Sequence, residues 1–323
     1  MNDQPQGQPH GHAHQHHGNA TPAGEHHAHH HGPARHDAAF AIGAGVNLAF
    51  VAAEAGFGVY ANSVALIADA AHNLGDVLGL LLAWGAAWLT SRPPTARRTY
   101  GWGRGAILSA FANAAILLIS AGAITVEAIR HLLDAAPAAP GIVIAVALAG
   151  VAVNGGTALL FLRGRHEDLN IRAQFTHLAS DALISLAVAA GALAMIHTGL
   201  AWLDPAISLG IVAAIVAGTW GLFRESAGLV MDAVPERVKR HDVHAWLQDL
   251  PNVTEVHDLH IWGLSTSEIA LTAHLVRAAD TPALEPLLIA DDLRHHFAIG
   301  HVTLQVESEA EAAECRLRPH HVV

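Results

Sequence analysis

The chain has 323 residues, 52% of them hydrophobic and only 14% charged, with a formal net charge of −11 and a mean hydropathy of +0.33. Charged residues make up about a quarter of an ordinary soluble domain, so these values indicate a membrane protein with some soluble mass attached. The chain has no basic run of the kind a nucleic-acid binder needs; its single cysteine, Cys315, excludes an internal disulfide and a thiolate-rich zinc site and suggests no redox chemistry.

Residues 1–36 contain Gly, Pro, Gln, Asn and His without apolar periodicity, and they hold 11 of the chain's 26 histidines. Such a segment buries no core and is expected to be disordered. It reads either as a metal-collecting tail or as a solvated low-complexity tail, and it lacks the charged-then-apolar layout of a signal peptide. The transmembrane domain is expected over 37–231, with apolar segments near 38–60, 64–90, 105–131, 141–162, 171–196 and 203–228. Each reaches the roughly 20 residues that a helix needs to cross the hydrocarbon of a bilayer. Their abundant Gly and Ala suit close helix packing in lipid.

The first segment carries Asn47 and Glu54, which either line a path or bridge helices by hydrogen bonds. The second, 63–89, is the most informative: it places Asp69, His72, Asn73 and Asp76 in its first half. Ionisable groups there are costly, and so are functional candidates by default. His72 and Asp76 are one turn apart on one helix face, with Asp69 a further turn toward the N-terminus. Asn113 in the third segment and Asn154 in the fourth read as helix-bridging residues. The fifth repeats the device of the second, with His177 and Asp181 again at i, i+4. Asp204-Pro205 reads as the N-cap and first turn of the sixth helix. Arg92, Arg97, Arg98, Arg104, Arg163, Arg165 and Arg172 gather at the even-numbered connections, whereas the odd-numbered ones hold only Arg130. The positive-inside rule then puts both termini in the cytoplasm.

If the second and fifth helices face one another, two imidazoles and two carboxylates meet inside the membrane. That donor set suits a tetrahedral cation of borderline softness, Zn²⁺ first. Its formal charge of −2 is cancelled by a dication, and protons take the metal's place when it leaves, which is antiport at the level of chemistry. A metallohydrolase built on the same ligands would need an open coordination position and a general base, and no His-Glu-x-x-His string occurs. A membrane metal sensor would bind metal without flux.

From 235 the pattern becomes that of a soluble domain. A helix is expected over 235–250, strands over 253–264 and 268–276, a helix over 283–296 and a strand over 302–307, an αββαβ order with a mostly antiparallel sheet. The expected fold is therefore a mainly α membrane protein: a six-helix transmembrane bundle followed by a small cytosolic α+β domain, ferredoxin-like, over 235–308. Residues 309–323 are expected to be a disordered tail.

The strings SVALIADAAHNLGDVLGLLLAW, YGWGR, LNIRAQFTHLASDAL, VHDLHIWGL and HVTLQVE together resemble the cation diffusion facilitators, specifically their zinc-exporting branch. The resemblance implies a homodimer that exports Zn²⁺ in exchange for protons by alternating access. The membrane is expected to be a bacterial inner membrane, and a vesicular membrane would give the same hydropathy. The resemblance implies His72, Asp76, His177 and Asp181 as the transport site, with Asn47 and Asp69 as accessory residues. In the cytosolic domain it implies a further zinc site at His241, His257, His301 and Glu307. It is also compatible with Cd²⁺ or Co²⁺ as further cargo.

Overall fold

The computed structural model describes residues 37–134, 138–162 and 169–318. The chain divides into two units, Met1–Ala41 and Ile42–Val323, and of the first only residues 37–41, the opening of the first helix, are described. The 1–36 tail and Arg163 and Arg165 lie outside the described residues.

Six long helices come first: α1 Asp37–Tyr60, α2 Val64–Thr90, α3 Arg104–Leu133, α4 Pro140–Phe161, α5 Leu169–Thr198 and α6 Leu203–Val230. Five of them, α2 to α6, contain stretches of 20–30 residues long and apolar enough to cross a membrane, and α1 has 24 residues. α4 packs chiefly on α5 and α3 on α6, while α2 touches α3, α5 and α6 and so stands at the centre of the bundle. The core gathers around the first turns of α2, where Val64, Ala65, Leu66 and Ala68 meet Ala121 and Ile124 of α3, Val143 and Ala147 of α4, Val188 and Ala192 of α5 and Ile211 and Ile215 of α6. Large side chains such as Trp84, Trp88, Ile119, Leu159 and Trp220 are exposed on the outside, an exterior suited to hydrocarbon rather than water.

A buried helix start must satisfy its free amide groups within the protein. Ser63 caps α2 by accepting from the Leu66 amide, and donates its hydroxyl to Asp204 of α6 at 2.5 Å. The other oxygen of Asp204 accepts from the amides of Val64 at 2.7 Å and Ala65 at 3.3 Å. Asp204 is therefore not the N-cap of its own helix, a position held by Trp202. Its carboxylate is spent on α2, because the opening amides of that helix are the unpaired donors nearest to it.

The C-terminal domain runs α7 Arg240–Gln248, β1 Val253–Gly263, β2 Ile269–Arg277, α8 Pro286–Phe297 and β3 His301–Ser308. α7 is shorter than expected, since residues 235–239 form turns and the chain is extended at Lys239. The sheet order is β1-β2-β3, with β1 and β2 antiparallel and β2 and β3 parallel, so the sheet is mixed rather than mostly antiparallel. The cause is α8, a crossover that brings β3 back in the direction of β2. A short helix, α9 Glu309–Glu314, follows where a disordered tail was expected. Ser308 caps it with a reciprocal Ser308–Glu311 capping box, and Ala312 is fully buried.

The two domains meet where the α2–α3 connection faces the β1–β2 turn. A Cβ on Gly103 would lie 2.7 Å from the Leu264 carbonyl oxygen, so only glycine permits this approach. A cavity of about 590 Å³ opens beside it, bounded by α2, α3 and Ser265 to Glu268. Arg104, at the start of α3, pairs with Asp232 just after α6.

Candidate metal centre

α2 and α5 bring the two i, i+4 pairs face to face. His72 Nε2 lies 3.2 Å from Asp181 and 3.8 Å from Asp76, and His177 Nε2 lies 3.5 Å from Asp76 and 3.6 Å from Asp181. Each imidazole thus touches both carboxylates, its own helix's and the other's. A tetrahedral Zn²⁺ with bonds of about 2.0–2.2 Å sets neighbouring donor atoms about 3.3–3.6 Å apart, close to these contacts; ligand atoms of His72, Asp76 and Asp181 lie within 4.8 Å of one another, with His177 at the edge of that group. Asp181 is only 5% exposed while His177 is 42% exposed, giving the group one closed side and one open side. Gly75 shapes it from below: a Cβ there would fall 2.1 Å from Leu117 Cδ2 of α3, so glycine lets α3 approach α2 between His72 and Asp76.

The proposed accessory residues do not enter this group. Asp69 is fully buried and accepts from the Ser185 hydroxyl of α5 at 2.8 Å. Asn47 is half-buried on α1, and no hydrogen bond joins it to these four residues among the described residues.

A second cluster lies in the C-terminal domain. Sheet register puts His257 opposite His274 and Val276 beside Glu307. His257 Nε2 is 3.4 Å and His274 Nδ1 2.9 Å from Glu307, and Cys315 Sγ is 3.6 Å from His274 Nδ1. Ligand atoms of all four lie within 4.8 Å of one another. Both ring nitrogens of His257 and Oε2 of Glu307 are buried without a hydrogen-bond partner, although Glu255 and Glu307 lie within ion-pair distance of the ring. Buried polar atoms left this way are unusual in a finished protein and mark a place for a ligand.

His241 and His301, expected here, are elsewhere. His241 is 93% exposed beside Asp242, and the His301 ring meets the edge of Tyr100 at 5.3 Å between centroids. His274 and Cys315 take their place in the cluster. The pairing of two adjacent strands could have suggested His274, since cross-strand neighbours share a face. Nothing local announces Cys315, which arrives through the turn after α9. Arg318 holds that turn down with two hydrogen bonds to Glu255, at 3.0 and 2.6 Å, and these carboxylate contacts raise its guanidinium above the ordinary arginine value.

The sequence matches the cation efflux transmembrane domain over residues 40–231 and the cation efflux protein cytoplasmic domain over residues 235–309. It is 34% identical over 294 residues to the metal cation efflux system protein CzcD of Cupriavidus metallidurans, covering 89% of this chain and 93% of that protein. It is 31% identical to the zinc transporter ZitB of Escherichia coli, covering 84% and 88%. To the cadmium, cobalt and zinc/H(+)-K(+) antiporter of Bacillus subtilis it is 30% identical, covering 78% and 83%. With both domains matched in order along most of its length, the chain belongs to the cation efflux, or cation diffusion facilitator, family, and is an integral membrane cation transporter and not an enzyme.

Proposed function

We propose that this protein exports Zn²⁺ from the cytoplasm in exchange for protons, with His72, Asp76, His177 and Asp181 as the transport site. The observation that carries this reading is the square of four imidazole–carboxylate contacts between α2 and α5, at 3.2–3.8 Å. Two neutral imidazoles favour zinc, cadmium or cobalt over the hard cations magnesium and calcium, and two carboxylates cancel the dication's charge. The names of the relatives, which include zinc, cadmium and cobalt transport and antiport, agree with this choice. Protons and metal compete for the same lone pairs, so each turnover that loads one must release the other. Alternating access follows if the open side of the site changes from one membrane face to the other.

In the cytoplasmic domain the geometry favours His257, His274, Glu307 and Cys315 as a second zinc site, with His241 and His301 left outside it. The protein works as a homodimer in a bacterial plasma membrane, a reading supported by the match to the family's cytoplasmic domain and by the bacterial relatives; the arginines of the even-numbered connections support both termini inside.

The test is Zn²⁺ flux in proteoliposomes loaded with a pH-sensitive dye, comparing the intact chain with His177→Ala. Zinc movement coupled to opposite proton movement, reduced to background in the variant, is the expected result. Tight zinc binding without flux in the intact chain would instead favour a membrane metal sensor.

A further inference from the structure

Above the transport site, on the side of His72 remote from the cytoplasmic domain, α1, α2 and α5 enclose a polar group that the four ligands do not use. Glu54 of α1, Asp69 of α2 and Ser185 of α5 are fully buried, and Asn73 of α2 is 4% exposed. The Asn73 amide donates to Oε2 of Glu54 at 3.2 Å, and the Ser185 hydroxyl donates to Oδ2 of Asp69 at 2.8 Å. That leaves Glu54 Oε1 and Asp69 Oδ1, both buried and both without a donor. Asn73, which binds Glu54, stands one turn from Asp69 on the same face of α2, so the two carboxyl groups are neighbours. No lysine or arginine is paired with either among the described residues, and the other titratable groups on the elements packed around the pair are His72 of α2 and Asp181 of α5.

Two carboxylates cannot hydrogen-bond to each other, because neither has a donor. One proton resolves every atom. Placed on Oε1 of Glu54, it is donated to Oδ1 of Asp69; Oε2 then accepts from Asn73, and Asp69 accepts from Glu54 and Ser185. With that proton the group is fully satisfied, whereas without it two anions would be buried together with no cation.

We propose that Glu54 is a proton-holding site separate from the metal ligands, and that its proton, shared with Asp69, is one of those exchanged for the metal. This rests on the antiport reading given above. Asp69 lies one turn from His72, so a dication arriving at His72 and a proton held on Glu54 act on the same carboxylate with the same sign of charge. Metal loading and proton retention are therefore antagonistic, which is the coupling that an antiporter needs. The proton reaches Glu54 from the membrane face opposite the cytoplasmic domain and leaves when metal loads. No bond other than the O–H bond is made or broken.

The test uses the full-length protein in lipid, with two readouts. Infrared spectroscopy at neutral pH is expected to show the carbonyl stretch of a protonated carboxylic acid in the intact chain and to lose it in Glu54→Gln. The glutamine amide can donate to Asp69 and its carbonyl can accept from Asn73, so the variant keeps both hydrogen bonds. Asp69→Asn approaches from the other partner: its amide can donate to an ionised Glu54, and the same band is expected to vanish. In proteoliposomes, Glu54→Gln should retain downhill Zn²⁺ flux while losing the acceleration that an imposed proton gradient gives the intact chain. A band that persists in both variants, or undiminished gradient acceleration in Glu54→Gln, would overturn the proposal. So would an intact chain that lacks the band and shows flux following potassium. Absence of proton-coupled flux in the intact chain would instead sink the antiport reading, leaving the infrared band to decide whether Glu54 holds a proton.

Discussion

At the scale of single residues, the proposed transport site is flanked by a position, Gly75, at which α3 comes close to α2. Gly75 sits between His72 and Asp76 on α2, and any Cβ there meets Leu117 of α3 at 2.1 Å. Because the atom met is the free end of the Leu117 side chain, Gly75→Ala is expected to turn Leu117 into another rotamer before it moves α3, a cost of about 0.5–1.5 kcal/mol. A lower unfolding temperature of the purified protein would show the cost. Weaker Zn²⁺ binding by calorimetry would show that the displaced helix takes Asp76 out of register with His177. An unchanged affinity would mean that the ligands tolerate the shift.

At the scale of elements, α9 is the clearest dependency. Six residues cannot hold a helix by themselves, so α9 relies on its capping box, on buried Ala312 and on the Arg318–Glu255 clamp beyond it. Ser308→Ala removes the cap at a cost of about 1 kcal/mol. Because Cys315 follows directly and is the sole cysteine, its rate of modification by a thiol reagent reports the state of α9. Faster modification in Ser308→Ala at neutral pH is the expected outcome. Glu311 adds a pH dependence: hydrogen bonds from the Ser308 amide and hydroxyl hold its carboxyl below the ordinary value of 4.5. A depressed carboxyl stabilises the folded state above its unfolded value and loses that contribution as pH falls through the folded one. Cys315 in the intact chain should thus become more reactive only below about pH 4.5, relative to the slower intrinsic thiol reaction there. A flat profile would separate Cys315 from the cap.

At the scale of the whole molecule, the membrane and cytoplasmic domains meet at a contact that tolerates no side chain at Gly103. Gly103→Val would drive into the Leu264 carbonyl and the Ser265 side chain and part the α2–α3 connection from the β1–β2 turn. Both ligand groups lie away from this contact, so each should bind zinc as before while flux falls. Equal flux in the variant would show that the two domains work independently. The Arg104–Asp232 pair at the same boundary is more than half exposed on both sides, so its removal should change stability little, and any effect on flux would be one of position.

Much of this was written in the local pattern. Apolar runs and their arginine-marked connections determine six long helices to within a few residues, because helix length in lipid follows hydrocarbon thickness. The i, i+4 spacing determines that His72 joins Asp76 and His177 joins Asp181, because a helix puts those positions on one face whatever it packs against. Which atoms meet across helices and strands was decided only by tertiary packing. Asp204 was drawn to α2, where unpaired amides lay within reach, and Glu54 was set against Asp69 by the approach of α1. Parallel return of β3 through α8 put Glu307 beside His274, and the turn after α9 delivered Cys315 from a stretch with no apolar period to mark it. The sequence by itself thus determined the elements and the ligands that share one helix face, through periodicities that act over one or two turns. The second metal cluster and the buried carboxyl pair required the fold, because their partners are far apart along the chain and meet only when separate elements pack.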